Sequence, residues 1–388
     1  MRILFPYLAR WKAVNWTRYH SLLTRLARMG HEIYVLQPPA MRSTETNFQE
    51  IDIETEQNFH IEDARLNTTL WNLNIPLNKL VKKGYYALAI LPEVKRIVRE
   101  KSIDVMLLYN IPHYSLMNID GCKKVFDFAD DYIAMLKTEL GATSNPLLLT
   151  LGSRMLDNMI RKADLTTCVS NVLAEQIRGE AVVLPNGVDL NKVLLGNGAE
   201  IRRGIKTPVV GFIGSFEYFI DFELILKAAA KMPDATFLLV GSGRQWKPVK
   251  DSVEALGLKN VILTGGVPHE RVFSYIDAMD VCLNIFKKIP ISHGACPIKL
   301  FEYLGMKKPV ISTRLKEVEL IDKRCIFYAD TVDELTSEVK RILDNKTSAM
   351  EHAGRGYRMV VDEYNWDSIA DKFMFLLENV PVKQAHIA

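Results

Sequence analysis

The sequence predicts an α/β protein built from two doubly wound domains, each with helices around a parallel sheet. Its 388 residues exceed the size at which a single hydrophobic core usually keeps growing. With 48% apolar and 24% charged residues, the composition is that of a globular chain. Short β-type runs alternate with helical stretches in both halves of the chain, which is typical of βαβ units.

In the first half, helical stretches separate the apolar runs that predict strands. The predicted strands are 3–5, 31–36, 105–109, 124–128 and 165–169, and the predicted helices are 16–29, 147–162 and 171–178. The helix 16–29 has apolar residues at helical spacing and stops at Gly30. We therefore predict a first domain at 1–190.

The alternation restarts after the turn-forming, charged stretch 191–207, which is predicted to be a linker. The predicted strands are 209–213, 236–240, 261–264, 281–285 and 309–312, and the predicted helices are 221–231, 247–256, 269–278, 297–306, 332–345 and 366–379. A second domain at 208–360 and a C-terminal helical segment at 361–388 follow from this pattern.

Charge and cysteine content exclude several classes of protein. The formal charge of +3 arises from 49 basic and 46 acidic residues, so no affinity for nucleic acid is predicted. Five widely spaced cysteines without a CxxC pair predict neither disulfides nor zinc. The first residues resemble a strand rather than a signal peptide, which favours the cytoplasm. The basic stretches 1–30 and 79–101 are either solvated helix faces or a contact with the inner face of the membrane.

The segment from His293 to Ser312 indicates an anion-binding site. Pro297 suits the first position of a helix, where free amides and the helix dipole attract a diphosphate. Lys299 then neutralises phosphate charge, and Glu302, three residues further, accepts hydrogen bonds from ribose hydroxyls. A surface ion pair between Lys299 and Glu302 is the structural alternative.

The same segment, PIKLFEYLGMKKPVIS, resembles the donor-binding segment of GT-B glycosyltransferases of group 1 or family 4 type, with features of their xanthan-type glucuronosyltransferase relatives. Further similar segments occur in family order at 169–171, 183–189, 210–215, 239–243 and 265–268. The resemblance implies two Rossmann-like domains facing a cleft, with a C-terminal helix that crosses back to the acceptor-binding N-terminal domain. It implies donor contacts by Gly214, Ser215, Gly241, Val267, Pro268, Pro297, Ile298, Lys299, Leu300 and Glu302.

Two departures from the family pattern stand out. Many members have acidic residues eight apart, but here Gly294 stands eight before Glu302. Many also have an Arg and a Lys soon after the glycine turn, whereas this chain continues with Phe216-Glu217-Tyr218-Phe219. Sugar recognition is therefore expected to differ, and Lys299 takes a larger share of phosphate binding.

A catalytic base for the acceptor hydroxyl is expected at the end of a strand in the first domain. Asp130 is the first candidate and Asp131 the second, because FDFADD resembles an acidic segment of the xanthan-type relatives. Either aspartate could instead cap the following helix. His113 is an alternative base, and in a retaining enzyme the donor phosphate would serve instead.

Aromatic and cationic residues after the first strand suit a sugar acceptor. They are Trp11, Asn15, Trp16 and Arg18.

The predicted activity is metal-independent transfer of a hexose from a UDP or GDP sugar to a saccharide or lipid-linked saccharide, in surface polysaccharide or glycolipid synthesis. No further cofactor and no metal site are expected. The rivals are a nucleotide-sugar epimerase of the same fold, an NAD-dependent oxidoreductase and a sugar-binding protein. The oxidoreductase is disfavoured because Trp246 stands where a dinucleotide fingerprint needs its third glycine.

Overall fold

A computed structural model describes residues 1–12, 16–40, 56–66, 78–141 and 145–380. The chain divides into two compact units. Unit 1 comprises residues 1–184 together with the segment from Ala370 onward, and unit 2 comprises Pro185–Ile369.

Unit 1 contains a seven-stranded sheet of parallel strands in the order β3-β2-β1-β4-β5-β6-β7. The strands are β1 Arg2–Pro6, β2 Glu32–Gln37, β3 Phe59–Asp63, β4 Val105–Leu108, β5 Lys123–Phe128, β6 Leu165–Cys168 and β7 Val182–Val183. Because the order reverses between β1 and β4, a crevice is expected at the carboxyl ends of these two strands.

The helices of unit 1 connect these strands. They are α1 Arg18–Arg28, α2 Asn78–Ala89, α3 Leu91–Glu100, a 3-10 segment Ile111–Asn118, α4 Tyr132–Leu140, α5 Pro146–Lys162 and α6 Asn171–Ala174. The apolar face of α1, which includes Leu22, Leu23 and Leu26, is buried, as the helical spacing predicts.

Unit 2 contains a six-stranded parallel sheet in the order β10-β9-β8-β11-β12-β13. The strands are β8 Val209–Ile213, β9 Thr236–Val240, β10 Val261–Gly265, β11 Val281–Asn284, β12 Val310–Ser312 and β13 Ile326–Tyr328. Its switch point lies between β8 and β11, both fully buried apolar strands.

The helices of unit 2 surround this sheet. They are α7 Leu190–Val193, α8 Ala199–Arg203, α9 Phe222–Lys231, α10 Trp246–Ala255, a 3-10 segment His269–Arg271, α11 Val272–Asp277, α12 Pro290–His293, α13 Ile298–Gly305, α14 Lys316–Ile321, α15 Val332–Asp344, α16 Lys346–Glu363 and α17 Trp366–Asn379.

Both ends of unit 2 differ from the predicted domain boundaries. The stretch 191–207 contains the short helices α7 and α8 and groups with unit 2, which begins at Pro185. Helix α17 starts in unit 2, and from Ala370 onward its residues group with unit 1. There, the Lys123 ammonium donates to the carbonyls of Leu377 (3.3 Å) and Val380 (2.9 Å).

Within the described ranges, every helix is too short or too polar to cross a bilayer. The basic residues of 1–30 do not form one surface. Arg18 and Arg25 are buried, and Arg10 is paired with Asp63 at 3.1 Å.

Candidate functional site

Three glycine-containing turns follow neighbouring strands of unit 2 and pack against each other. Gly214, after β8, donates its N–H to Val240 (3.0 Å), and Gly241, after β9, donates to Gly265 (2.9 Å). A Cβ at Gly241 would lie 1.9 Å from the Gly214 carbonyl oxygen. Both glycines also have positive φ, at 138° for Gly214 and 134° for Gly241, so only glycine fits either position. At the carboxyl edge of the sheet, the backbones of the turns after β8, β9 and β10 therefore lie close together, next to the switch point.

Lys299 lies against this glycine edge. A Cβ at Gly214 would stand 2.8 Å from Lys299 Cε and 3.1 Å from its Nζ, so a bulkier residue there would displace the lysine. The ammonium is 4.4 Å from the centre of the Phe212 ring and 5.1 Å from that of Phe286. These rings come from β8 and from the residues just after β11, the two strands of the switch point. Lys299 thus lies where a doubly wound sheet binds its ligand.

The surroundings of Lys299 disfavour its charge. Burial lowers the pKa of the ammonium to about 8, opposed only in part by Glu302. Among the described residues, no carboxylate lies within ion-pairing distance of Lys299 Nζ. The two aromatic rings stabilise the cation weakly by comparison. A half-buried cation without a carboxylate partner is a candidate binding site for an anion.

Glu302 is the second charged group of this region. Burial raises the pKa of its carboxyl to about 7, while Lys299 and Lys192 act in the opposite direction. The alternative, a surface ion pair between Lys299 and Glu302, does not form at 4.0 Å or closer in the described part of the chain. Both side chains therefore remain available to a ligand, the cation for phosphate and the carboxylate for hydroxyl groups.

Helix α13 positions both residues. Pro297 is its N-cap and Ile298 its first residue, one position later than predicted, and no side chain caps the helix. The amides of Ile298 and Lys299 precede the first intrahelical bond, so they belong to the positive end of the helix. The buried Tyr303 fixes the helix, since its hydroxyl accepts the N–H of Ile213 at 2.8 Å. Leu300 is fully buried and serves packing.

The other predicted donor residues surround the same edge at varying distance from Lys299. Ser215 follows Gly214 and is half-buried. Val267 and Pro268 follow β10, two strands away from β8, with Pro268 as N-cap of the 3-10 segment. They line the outer part of the edge.

In unit 1, the two candidate aspartates have different roles. Asp131 caps α4, since its Oδ1 accepts the N–H of Ala134 at 2.9 Å. Asp130 is not that cap. Residue Asp130 has exposed surface, but desolvation of its carboxyl by the surrounding protein raises the pKa, as do the charges of Asp127 and Asp131, against the effect of Arg18 and Lys83. A raised pKa favours Asp130 as a proton acceptor near neutral pH.

A buried ion pair lies beneath this segment. Arg18 Nε is 2.9 Å from Asp127 Oδ2, and both side chains are almost wholly buried. Thr167 donates to Asp127 at 2.8 Å, and Arg18 donates to the Leu184 carbonyl at 3.2 Å. Arg18 therefore does not suit the predicted acceptor role, because its guanidinium is buried and paired with Asp127.

His113 and Trp11 are also interior residues. His113 is fully buried, and its Nδ1 accepts the N–H of Tyr109 at 3.0 Å. Burial lowers the pKa of this imidazole to about 3, so it is neutral and has no path to an acceptor hydroxyl. Trp11 is fully buried and packs on His20, with ring centres 4.1 Å apart. Neither residue suits the predicted role.

The remaining predicted acceptor residues are Trp16 and Asn15. Trp16 is half-buried and donates from Nε1 to Ser21 at 2.7 Å. Asn15 lies outside the described residues.

Comparison with known proteins places these features in a family. A family model described as glycosyl transferase-like matches residues 220–374. TuaH of Bacillus subtilis (strain 168), named as a teichuronic acid biosynthesis glycosyltransferase, is 29% identical over 233 residues. That alignment covers 57% of this chain and 58% of TuaH. The chain thus spans little more than half the length of this curated relative.

Solved structures match over nearly the whole chain. Sucrose-phosphate synthase of Thermosynechococcus elongatus has a TM-score of 0.77 and 16% identity, covering 97% of this chain and 98% of that one. Anabaena HepE in complex with UDP-glucose has a TM-score of 0.68 and 16% identity, covering 97% and 99%. The chain has the GT-B fold of these structures, and its residues 220–374 match the glycosyl transferase-like family model. The predicted fold class and family resemblance are confirmed.

Arg244 is a candidate donor-site cation that sequence reasoning missed. The family's cations after the first glycine turn are absent here, but Arg244 follows the second glycine turn. Its Nε is 3.2 Å from Glu217 Oε2, so the guanidinium is held beside the first turn. The two turns are further joined by the Phe216 N–H, which donates to Ser242 at 2.9 Å. The only available signal was a basic residue in a glycine turn.

Asp127 was also missed as a partner of Arg18. In sequence it alternates with apolar residues of β5, which indicates a buried face without naming a partner. Within the described ranges, no group of three or more His, Cys, Asp or Glu residues has metal-site geometry.

Proposed function

We propose that this protein transfers a hexose from a UDP sugar to a hydroxyl of a saccharide acceptor in surface polysaccharide synthesis, without a divalent cation. The half-buried Lys299 ammonium, without a carboxylate partner at the switch point of unit 2, is the observation that carries the proposal. A diphosphate supplies the missing negative charge, and loss of the nucleoside diphosphate as leaving group is stabilised by the same cation.

The donor is assigned to unit 2. The α13 amides and Lys299 bind the diphosphate, Arg244 adds a second cation, and Glu302 accepts hydrogen bonds from the ribose hydroxyls. UDP is favoured over GDP because a solved structure of the same fold, HepE, is in complex with UDP-glucose. Two cations and a helix end provide the charge stabilisation that a metal ion provides in other transferases.

The acceptor is assigned to unit 1, with Asp130 as general base. Asp130 is favoured over Asp131, which caps α4, and over His113, which is buried. A polysaccharide acceptor is favoured because TuaH, the relative aligned over 233 residues, is named for teichuronic acid biosynthesis. A nucleotide-sugar epimerase would need no acceptor base, so the position of Asp130 disfavours it.

The donor assignment is tested by thermal stability of the purified protein with UDP, GDP and ADP and their glucose conjugates, with and without EDTA. Ligands that bind the native state raise its melting temperature, by an amount equivalent to about 2.7 kcal/mol at one hundred times the Kd. We expect a shift with the uridine compounds that EDTA does not change. A shift only with NAD, or none with any nucleotide sugar, would overturn the proposal.

Asp130→Asn separates binding from chemistry. We expect UDP release in the presence of acceptor to slow about 10² to 10⁴-fold, with donor binding intact. Asp131→Asn is the matched control, since asparagine can still cap α4 and the change removes only the charge of this neighbouring side chain. Full turnover in Asp130→Asn would show that Asp130 is not the general base. It would favour the retaining route, in which the donor phosphate takes the proton.

A further inference from the structure

An apolar cavity of about 220 Å³ lies in unit 1 beside the segment that carries Asp130. Its walls come from α2, the start of the 3-10 segment, α4 and α5. The apolar part of the lining consists of Gly84, Ile111, Pro112, Met135, Leu136 and Met155. An engineered cavity of about 150 Å³ is large enough to bind benzene, so this one is large enough for a longer hydrocarbon group.

The walls of the cavity are closely packed. A Cβ at Gly152 of α5 would lie 2.9 Å from Leu136 of α4 and 3.7 Å from Ile111. The three elements therefore contact each other at van der Waals distance around the cavity, and its shape is fixed by them.

The cavity is adjacent to Asp130 through two of its lining residues. Tyr132 lines it and follows the Asp130-Asp131 pair directly, and its hydroxyl donates to the Asp127 carbonyl at 3.2 Å. Lys83 also lines it and is near enough to Asp130 for its charge to act on that carboxyl. A molecule whose apolar end fills the cavity has its polar end beside Lys83 and Asp130.

Two of the helices that line the cavity, α5 and α2, also carry exposed apolar side chains. On α5, Leu147 is 76% exposed and Leu151 is 54% exposed, and on α2, Leu88 is 61% exposed. Among its described side chains, helix α2 carries the cations Lys82 and Lys83 and no acidic residue. Apolar surface next to two cations fits an aliphatic chain that carries a phosphate. Glu139, which also lines the cavity, is its one acidic side chain.

We propose that this cavity binds the aliphatic chain of a lipid-phosphate-linked acceptor, with Lys83 beside the phosphate and the acceptor hydroxyl directed to Asp130. The inference rests on the proposed transferase function and narrows its acceptor to a lipid-linked glycan. A free saccharide has no apolar group to fill the cavity.

The probes are butyl, hexyl, octyl and decyl phosphate, used below their micelle concentrations, with inorganic phosphate as the head group alone. Calorimetry on the full chain measures their affinities. Each added methylene that enters the cavity is expected to strengthen binding about four-fold, until the cavity is full and the affinity levels off. Affinity independent of chain length would overturn the proposal, because it would indicate binding by the head group only.

Gly84→Leu is the decisive variant. Gly84 lines the cavity and a Cβ there meets no atom within 4 Å, so we expect a leucine side chain to occupy part of the cavity, and leucine favours the helix more than glycine does. We expect decyl phosphate to bind at least ten-fold more weakly, with unchanged melting temperature and UDP affinity. Gly204→Leu is the control, since Gly204 of unit 2 also has open space around it. Equal weakening in both variants, or none in Gly84→Leu, would contradict the assignment.

Met155→Ala provides a second variant that does not depend on Gly84. It enlarges the cavity, so the affinity is expected to level off at a longer chain. The two proposals fail differently. If UDP binds and no alkyl phosphate does, the cavity assignment fails alone, and if alkyl phosphates bind while UDP does not, the donor assignment fails.

Discussion

Each unit has a cation near the carboxyl ends of its strands, but in the described part of the chain only the cation of unit 1 is paired with a carboxylate. In unit 1, Arg18 is buried against Asp127 at 2.9 Å, and its guanidinium also donates to the Leu184 carbonyl at 3.2 Å. In unit 2, Lys299 is half-buried between aromatic rings, and the described residues offer it no carboxylate within 4.0 Å. Arg18 therefore stabilises the fold, whereas burial disfavours the charge of Lys299, for which we propose a ligand role. The same type of charge at the end of a strand indicates function only when its partner is missing.

The largest expected effect comes from breaking the satisfied pair of unit 1. Arg18→Met leaves the Asp127 carboxylate buried without its cation, which typically costs about 3–5 kcal/mol. The measurement is the free energy of unfolding in urea. Arg10→Met, which breaks the half-exposed Arg10–Asp63 pair, is expected to cost less than about 1 kcal/mol. Equal costs would show that burial of the Arg18 pair is unimportant.

The next largest effect is expected on UDP-glucose affinity when the proposed contact between Glu302 and the ribose is removed. Glu302→Gln is expected to weaken UDP-glucose binding about ten-fold or more, as for a lost hydrogen bond to a charged group. The same substitution should matter less for 2′-deoxy-UDP-glucose, because one of the two hydroxyl donors is already absent. Calorimetry of both ligands with both proteins gives the coupling between carboxylate and hydroxyl. Additive effects would place the ribose away from Glu302.

The pH dependence of donor binding sharpens the comparison further. The pKa of Lys299 is about 8 and that of Glu302 about 7, so UDP-glucose affinity should be highest between about pH 7 and 8. As pH falls below 7, Glu302 gains a proton and no longer accepts two hydrogen bonds. As pH rises above 8, Lys299 loses its charge, and at pH 9.5 we expect affinity about ten-fold lower. Glu302→Gln should remove the acid limb and keep the alkaline one.

The smallest effect is expected at the exposed Arg244–Glu217 pair. Arg244→Ala should weaken UDP-glucose binding only a few-fold, because a half-exposed cation contributes little. Glu217→Gln should strengthen it slightly by releasing Arg244. Lys227→Ala, in the exposed pair with Glu223, is the control and should leave the affinity unchanged.

Much of the fold could be predicted from sequence, because the strands are short apolar runs and several helices have apolar residues at helical spacing. The predicted helix 366–379 matches α17, and the predicted strand 209–213 matches β8. Helix α16 was missed because its buried face consists of small residues, among them Ala349, Ala353 and Gly356, which do not look like a core. Gly356 packs so closely on Leu304 that a Cβ would lie 2.4 Å from its Cδ2.

The candidate site was likewise predicted only where a local sequence pattern places its residues together. Lys299 and Glu302 were predicted because a local pattern, proline followed by a helix, places them together. The ion pairs of Arg18 with Asp127 and of Arg244 with Glu217 were missed because each joins residues far apart in sequence. Burial of His113 and Trp11 was missed for the same reason, since contacts with other strands decide it.

The most direct test of the account is calorimetry of UDP-glucose with wild type and Lys299→Met, together with the melting temperature of each protein without ligand. Methionine keeps the length of the side chain and removes the charge. Because the folded state lowers the pKa of Lys299, it disfavours the charge that this residue carries at pH 7, so removing the charge should not destabilise the fold. The account predicts affinity lower by about 10 to 100-fold and an unchanged or higher melting temperature. Wild-type affinity in Lys299→Met, or a large loss of stability, would contradict the claim that Lys299 serves the ligand rather than the fold.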